Sequence, residues 1–273
     1  MVAYLGHPGS LIRVHDPADQ SKDTSRPARY LSTIGGATFA QVGPRTKRSW
    51  DVRLPRISSP AEVATWQAFV EGEFGYGPWW FVPELAATTN VMSPRGSLLE
   101  TSVDQAGASS NGGPLTLPDS SRAGRSWLVE DDRTVFLPWV SGLEYVPVVP
   151  GLPVTGSVFV SGPAGTSLQM RFYSDEGPAT RTVSAPSSGG GVQRLSVSTV
   201  AQEGEASVLL LVRNSSSSFH VARPAITWTD GVRPWSVGAG APKVHVASYS
   251  EDVTLAVPSR EMVGVSLTVQ EVG

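Results

Sequence analysis

Trp50-Asp51-Val52-Arg53-Leu54, followed by Ser59-Pro60-Ala61-Glu62-Val63, sets the fold of the first part of the chain. In the first run Trp50, Val52 and Leu54 alternate with Asp51 and Arg53, the period of an antiparallel strand with one face buried. In the second, Ser59 and Glu62 form a capping box, and Pro60 takes the first helical position, where its missing N–H costs nothing. Val63, Trp66, Phe69 and Val70 then recur at three- and four-residue spacing before Gly72 and Gly75 stop the helix. The spacing predicts a helix over about 60–71, with Trp66 and Phe69 against a sheet. Thr38 to Val42 is the expected partner of the Trp50 strand, through a Gly43-Pro44-Arg45-Thr46 turn.

Outward from this segment the period is two. Trp79-Trp80-Phe81-Val82, between Pro78 and Pro83, reads as a short aromatic strand. From Asn90 to about Gly124 the composition shifts to Ser, Gly, Asn and Pro, which reads as a linker followed by short strands and long loops. Five strands are expected beyond it: Val154 to Val160, Leu168 to Tyr173, Val192 to Val200, Val208 to Val212 and Phe219 to Thr227. Their turn-punctuated spacing indicates a β-sandwich or jelly roll. After Gly240 come three more alternating stretches, Val244/Val246, Val253 to Val257 and Val263 to Val269. Turns are expected between them at Tyr249-Ser250-Glu251-Asp252 and Pro258-Ser259-Arg260-Glu261.

Composition narrows the function. The 273 residues are 40% hydrophobic and 16% charged, enough apolar content for a packed core and well below the usual share of charge. A net charge of −3 argues against affinity built on phosphate neutralisation, so no specific nucleic-acid contact is expected. The absence of cysteine removes disulfides, thiolate catalysis and Cys-ligated zinc. Met1-Val2-Ala3-Tyr4-Leu5 lacks a basic n-region and a long apolar core, so no cleaved leader is expected. The longest apolar run, Val208 to Val212, is far shorter than the ~20 residues of a membrane span, and no membrane insertion is expected.

The chemistry-bearing residues are dispersed. His7, His15, His220 and His245 fall in no metal-ligand spacing, and no metal site or cofactor is expected. Glu130-Asp131-Asp132 is the densest acidic cluster; it reads as a solvated turn, with a calcium loop as the functional alternative. No nucleophile elbow, phosphate loop or dinucleotide fingerprint occurs. Gly189-Gly190-Gly191 precedes a strand and reads as a hairpin turn. Catalytic residues are therefore expected to be none. Arg45, Lys47 and Arg48 form the strongest basic patch, suited to a solvated hairpin tip or a neighbouring subunit's acidic face. Of Trp127, Trp139, Tyr145, Trp228 and Trp235, the best candidates for stacking on a sugar are Trp139 and Tyr145, in a loop-rich stretch beside Pro138 and Pro147.

The run from Lys47 to Pro83, with Tyr76-Gly77-Pro78-Trp79-Trp80-Phe81-Val82-Pro83 after the helix, resembles phage minor tail proteins of the distal tail protein class. Asn90-Val91-Met92-Ser93-Pro94 is similar to the start of their second domain, a galectin-like or carbohydrate-binding-module-like sandwich. The order of Val154 to Val160, Gln193 to Val197 and Ala222 to Ile226, and the closing Trp235 to Val244, fit that pattern. The resemblance implies a mainly β protein: a β-domain with one helix on a sheet, plus the sandwich. It implies a homo-oligomeric ring, a hexamer, at the tail tip of a virion, made in the host cytoplasm. The ring's partners would be the tail tube protein, the tail-tip hub and other baseplate proteins.

The expected layout is discontinuous: residues 1–88 plus 237–273 form the ring domain and 89–236 the inserted sandwich. Candidate subunit-interface residues are Arg45, Lys47, Arg48, Trp79 and Trp80; candidate glycan contacts are Trp139 and Tyr145. The alternative function is a carbohydrate-binding adhesion protein contacting the host envelope. A glycoside hydrolase using the 130–132 carboxylates stands third.

Overall fold

A computed structural model describes residues 3–14, 19–25, 28–32, 38–42, 47–54, 60–100, 109–130, 133–137, 145–175, 177–213, 217–257 and 260–272. The chain is mainly β and divides into two compact units. The first comprises Met1–Gly6, Ile12–Phe81 and Pro242–Gly273; the second comprises His7–Leu11 and Val82–Ala241. The change of unit at Phe81/Val82 and Ala241/Pro242 lies several residues from the 88/89 and 236/237 boundaries read from composition.

In chain order the first strands are β1 (Ala3–His7), β2 (Ser10–Val14), β3 (Asp19–Ser25), β4 (Ala28–Ser32), β5 (Thr38–Val42) and β6 (Lys47–Arg53). Then come α1 (Pro60–Glu71), β7 (Trp79–Val82) and two short helices, α2 (Glu84–Thr89) and α3 (Pro94–Ser97). Next are β8 (Ser109–Thr116), β9 (Arg122–Val129), β10 (Thr134–Leu137), β11 (Val146–Pro147), β12 (Pro153–Ser161) and β13 (Ser167–Tyr173). β14 (Ala179–Pro186), β15 (Val192–Val200), β16 (Ser207–Arg213), β17 (Phe219–Thr227), β18 (Lys243–Val257) and β19 (Arg260–Glu271) complete the chain.

In the first unit one seven-stranded sheet runs β2-β1-β7-β18-β19-β6-β3. Trp50, Val52 and Leu54 are buried while Asp51 and Arg53 are exposed, the alternation expected of a one-faced strand. β19 repeats it with Val263, Val265, Leu267 and Val269. These side chains share a core with Trp66 and Phe69 of α1, whose rings contribute the largest buried apolar area of the helix. Phe69 lies 4.7 Å from the Trp79 ring and Trp50 lies 5.2 Å from Phe81. Glu73 N–H donates to the Ala68 carbonyl and Gly72 N–H to that of Phe69, with Gly72 at φ +88°. This is a glycine-terminated helix end, in which only glycine takes the left-handed position without a Cβ penalty.

Two expectations fail here. β5 pairs with β4, not with β6; β6 pairs with β3 on one side and β19 on the other. The β4–β5 hairpin is an excursion between β3 and β6, and sequential strands are neighbours in only about two-thirds of cases. The turn expected at 249–252 does not form either. β18 is one 15-residue strand whose register shifts at Val246/Ser248 and Val253/Leu255 break the alternation without ending the strand. Residues 43–46 and 258–259, the other expected turns, lie outside or partly outside the described residues, as does Ser59 of the capping box.

The second unit is a two-sheet β-sandwich. One sheet runs β10-β16-β13-β14, with β11 also on β16; the other runs β15-β12-β17-β9-β8. A Cβ on Gly156 would collide with Leu210 and sit 2.8 Å from the Met170 sulfur, which shows the two sheets packing face to face at that point. Val158, Leu168, Phe172 and Trp127 fill this interior. All five expected strands are present, and β14, unread in the sequence, joins them as an exposed Thr- and Ser-rich edge. Asn90–Leu99, read as linker, is instead a buried connector: Asn90 and Ser97 are fully buried and α2 is tied to the end of β17 by Trp228 N–H donating to the Ala87 carbonyl.

Candidate functional site

The sandwich bears a groove of about 420 Å³. The end of α3 supplies Ser97, Leu98 and Glu100; β9 supplies Ala123, Gly124 and Arg125; β17 supplies Arg223; and the segment after β17 supplies Trp235 and Val237.

Its walls follow from local backbone geometry. β12 and β17 slip register between Ser157/Phe159, and Arg223 sits in the resulting bulge at φ +49°. A bulge re-aims side chains, and a non-glycine residue in the left-handed region carries a cost that marks a constrained position. Arg223 thereby places its guanidinium 4.8 Å from the centre of the Trp235 ring. Nη1 donates to Ser121 Oγ at 3.1 Å and Nη2 to the Arg122 carbonyl at 3.0 Å. Trp235 is itself anchored by Nε1 donating to the Pro224 carbonyl at 3.2 Å. Leu99, between the lining residues Leu98 and Glu100, is also left-handed, at φ +54°, and its carbonyl accepts from Arg125 Nη1 at 3.2 Å.

Beneath the groove Ser97 Oγ accepts the Gly238 N–H at 2.8 Å and donates to the Pro94 carbonyl at 3.0 Å, fixing α3 to the 228–241 segment. Asp119 lies beside this wall. Hydrogen bonds from the Ser121 hydroxyl and backbone hold its carboxyl below the usual carboxylate range, with Arg223 adding to the effect. The groove thus offers an anchored indole, several unused guanidinium N–H groups and the Glu100 carboxylate, with Asp119 beside it, the combination that recognises a polyhydroxylated ligand.

The first unit bears a second concavity, a shallow polar trough of about 310 Å³ on the sheet face opposite the core. Ser21, Asp51, Arg53, Ser248, Ser250, Ser266 and Thr268 line it across four neighbouring strands, and Thr268 Oγ1 donates to Asp51 Oδ1 at 2.7 Å.

The residues singled out from sequence are spread over both units. Arg45 and Trp139 lie outside the described residues, as do Asp131, Asp132 and His15; of Lys47 only the backbone, in β6, is described. Arg48 is held within its own unit by Glu271. Trp79 is a core residue, 7% exposed, while Trp80 is half-buried under the Lys243 ammonium. Tyr145 is 38% exposed and meets Tyr173 edge-on at 5.1 Å, on the sheet that does not carry the groove. Trp127 and Trp228 are buried, so of the five aromatics weighed Trp235 is the one that lines the groove. Its signal was the position in a strandless stretch between Pro234 and Gly238. Arg125 and Arg223 gave none. His220 faces Ser126, with Nδ1 3.4 Å from Oγ. Among the described residues no group of three His, Asp or Glu is placed to hold a metal ion.

No family model matches the sequence, and no curated protein matches it. Among solved structures the chain is similar to the enzymatically active domain of tailspike protein 4 of bacteriophage CBA120, at 10% identity and TM-score 0.38. That match covers 51% of this chain and 21% of the other, so the chain spans about a fifth of the tailspike chain's length. It is also similar to family 16 carbohydrate-binding module-2, at 8% identity and TM-score 0.33, covering 45% of this chain and 88% of that one. TmCBM61, solved in complex with β-1,4-galactotriose, matches at 9% identity and TM-score 0.33, covering 52% of this chain and all of that one.

Proposed function

We propose that this chain is a structural protein of a phage tail tip, which self-associates into a homo-oligomeric ring through its first unit. The observation that carries this reading is how the first unit closes. The chain leaves the seven-stranded sheet at β7 and returns in β18 on the adjacent strand, Trp79 opposite Val244, with Phe81 N–H donating to the Pro242 carbonyl. The sandwich is therefore an insertion in a platform completed by both chain ends, the discontinuous layout expected from the composition shifts and the changed strand pattern after Gly240. The trough, lined by short hydroxyl side chains with Asp51 and Arg53, is the sheet face opposite the core on which a second copy would lie.

In this reading the chain works by subunit surfaces and not by turnover, inside the assembled particle. Mass measurement of the purified chain tests it: a discrete closed oligomer, reduced to monomer by Ser250→Arg with Ser266→Arg, supports it. A monomer at all concentrations opposes it.

A second reading is favoured by the Trp235 groove: a carbohydrate-binding protein that contacts the host envelope through its sandwich. A monomer that binds oligosaccharide, with binding lost in Trp235→Ala, would support this reading over the first.

A further inference from the structure

The geometry points to an acidic saccharide, one carrying uronate carboxylates, as the ligand of the Trp235 groove and the strip of sheet beside it. This rests on the carbohydrate-binding reading and adds the ligand's charge.

Arg194 is a cation without a counter-ion among the described residues. Arg194, on β15, stacks its guanidinium 5.4 Å from the Phe159 ring and donates from Nη2 to Ser157 Oγ at 3.0 Å. Its Nε is buried with no hydrogen-bond partner among the described residues, and no carboxylate pairs with it there. Burial lowers its pKa, so the folded chain bears a desolvation cost for holding this charge. Arg48 and Arg181, also half-buried, each have a two-pronged glutamate partner.

Phe159 belongs to a small apolar cluster with Ala222, Leu117 and Ala123, and Ala123 also lines the groove. The strip that begins at Arg194 therefore runs into the wall bearing Arg125 and Arg223. Those two donate their hydrogen bonds to neutral oxygens, and Arg223 in addition feels the nearby Asp119 carboxylate. Three guanidiniums along one path outnumber the two carboxylates beside it, Glu100 in the lining and Asp119 next to Arg223, and the remaining positive charge fits a ligand that carries carboxylates. The indole of Trp235 supplies an apolar face for a pyranose ring. Uronates combine both chemistries on one sugar unit.

The test is calorimetric titration of the full chain with a trigalacturonate and with the matching neutral trigalactoside. The expected result is a preference of about tenfold or more for the uronate, which weakens as salt is raised. Arg194→Gln and Arg125→Gln, checked for native folding by circular dichroism, should each bring that ratio towards one, and Arg194→Lys should retain part of it. Equal affinity for the two sugars overturns the acidic ligand while leaving saccharide binding in place. Failure to bind either overturns both, and leaves the scaffold reading to be judged by the mass of the assembly.

Discussion

Arg48 and Glu271, 223 positions apart, meet as a two-pronged ion pair with both N···O distances at 2.8 Å. Their side chains are 16% and 21% exposed, and the Arg48 guanidinium also lies 5.3 Å from the Trp50 ring. The pair joins β6 to the last strand of the chain, where Ser49 already opposes Gln270. Arg48, a candidate subunit-interface residue, is thus engaged in closing its own sheet. Glu271→Ala should destabilise the first unit by about 1–2 kcal/mol, between the values of exposed and buried pairs. Arg48→Lys should cost less, since the charge survives and only the fork is lost. Urea unfolding monitored by tryptophan fluorescence checks both.

Asn90 is fully buried and spends its amide on four backbone groups. Oδ1 accepts from Met92 and Ile226 N–H, while Nδ2 donates to the Ser236 and Pro224 carbonyls. Asn90→Ala should strand these groups and cost about 2–4 kcal/mol. Asn90→Asp should be worse than its size suggests, because it buries a charge against two carbonyls. Thermal unfolding of the variants, with loss confined to the sandwich, is the expected outcome.

Gly238 passes the connector so closely that a Cβ would collide with the Met92 carbonyl oxygen and sit 2.8 Å from the Ser93 oxygen. Both obstacles are backbone, so relief needs a chain shift and not a rotamer change. Gly238→Ala should destabilise by about 1–3 kcal/mol and loosen the groove wall at Trp235. Gly190→Ala, with nothing within 4 Å, meets only the strain of φ +81° and should cost less. Comparing the midpoints of the two variants tests the ordering.

Burial, reinforced by the neighbouring Glu251 carboxylate, pushes the Tyr249 phenol well above its ordinary range. Its hydroxyl donates to Glu251, which also receives Gln67 of α1. The folded state holds this proton more tightly than the unfolded chain does. The associated stability is therefore complete below the ordinary phenol value near 10 and is lost as pH rises from there towards the folded pKa. Ultraviolet titration should show Tyr249 ionising only as the first unit unfolds. Tyr249→Phe should flatten the alkaline loss of stability.

The sequence carried the elements whose pattern is local. The Trp50 alternation, the Trp66/Phe69 stripe and the five sandwich strands are each written in side-chain period, and burial by the sheets enforces that period. Pairing was less legible: β6 takes β3 and β19 because of partners far along the chain, which no local pattern encodes. β14 carries no apolar pattern because an exposed edge needs no apolar residues, and the apparent break at 249–252 is a change of phase between two register shifts of one continuous strand. The groove was least legible. Its arginines come from β9 and β17 and its indole from a strandless segment, brought together by a bulge and two left-handed residues.

A ring at a tail tip requires self-association through the first unit. Native mass spectrometry of the full-length chain, at micromolar concentration and near-neutral pH, measures it most directly. The account predicts one dominant closed oligomer, a hexamer, that dissociates when Ser250→Arg and Ser266→Arg are introduced together. A mass of one chain throughout, unchanged by those substitutions, contradicts it.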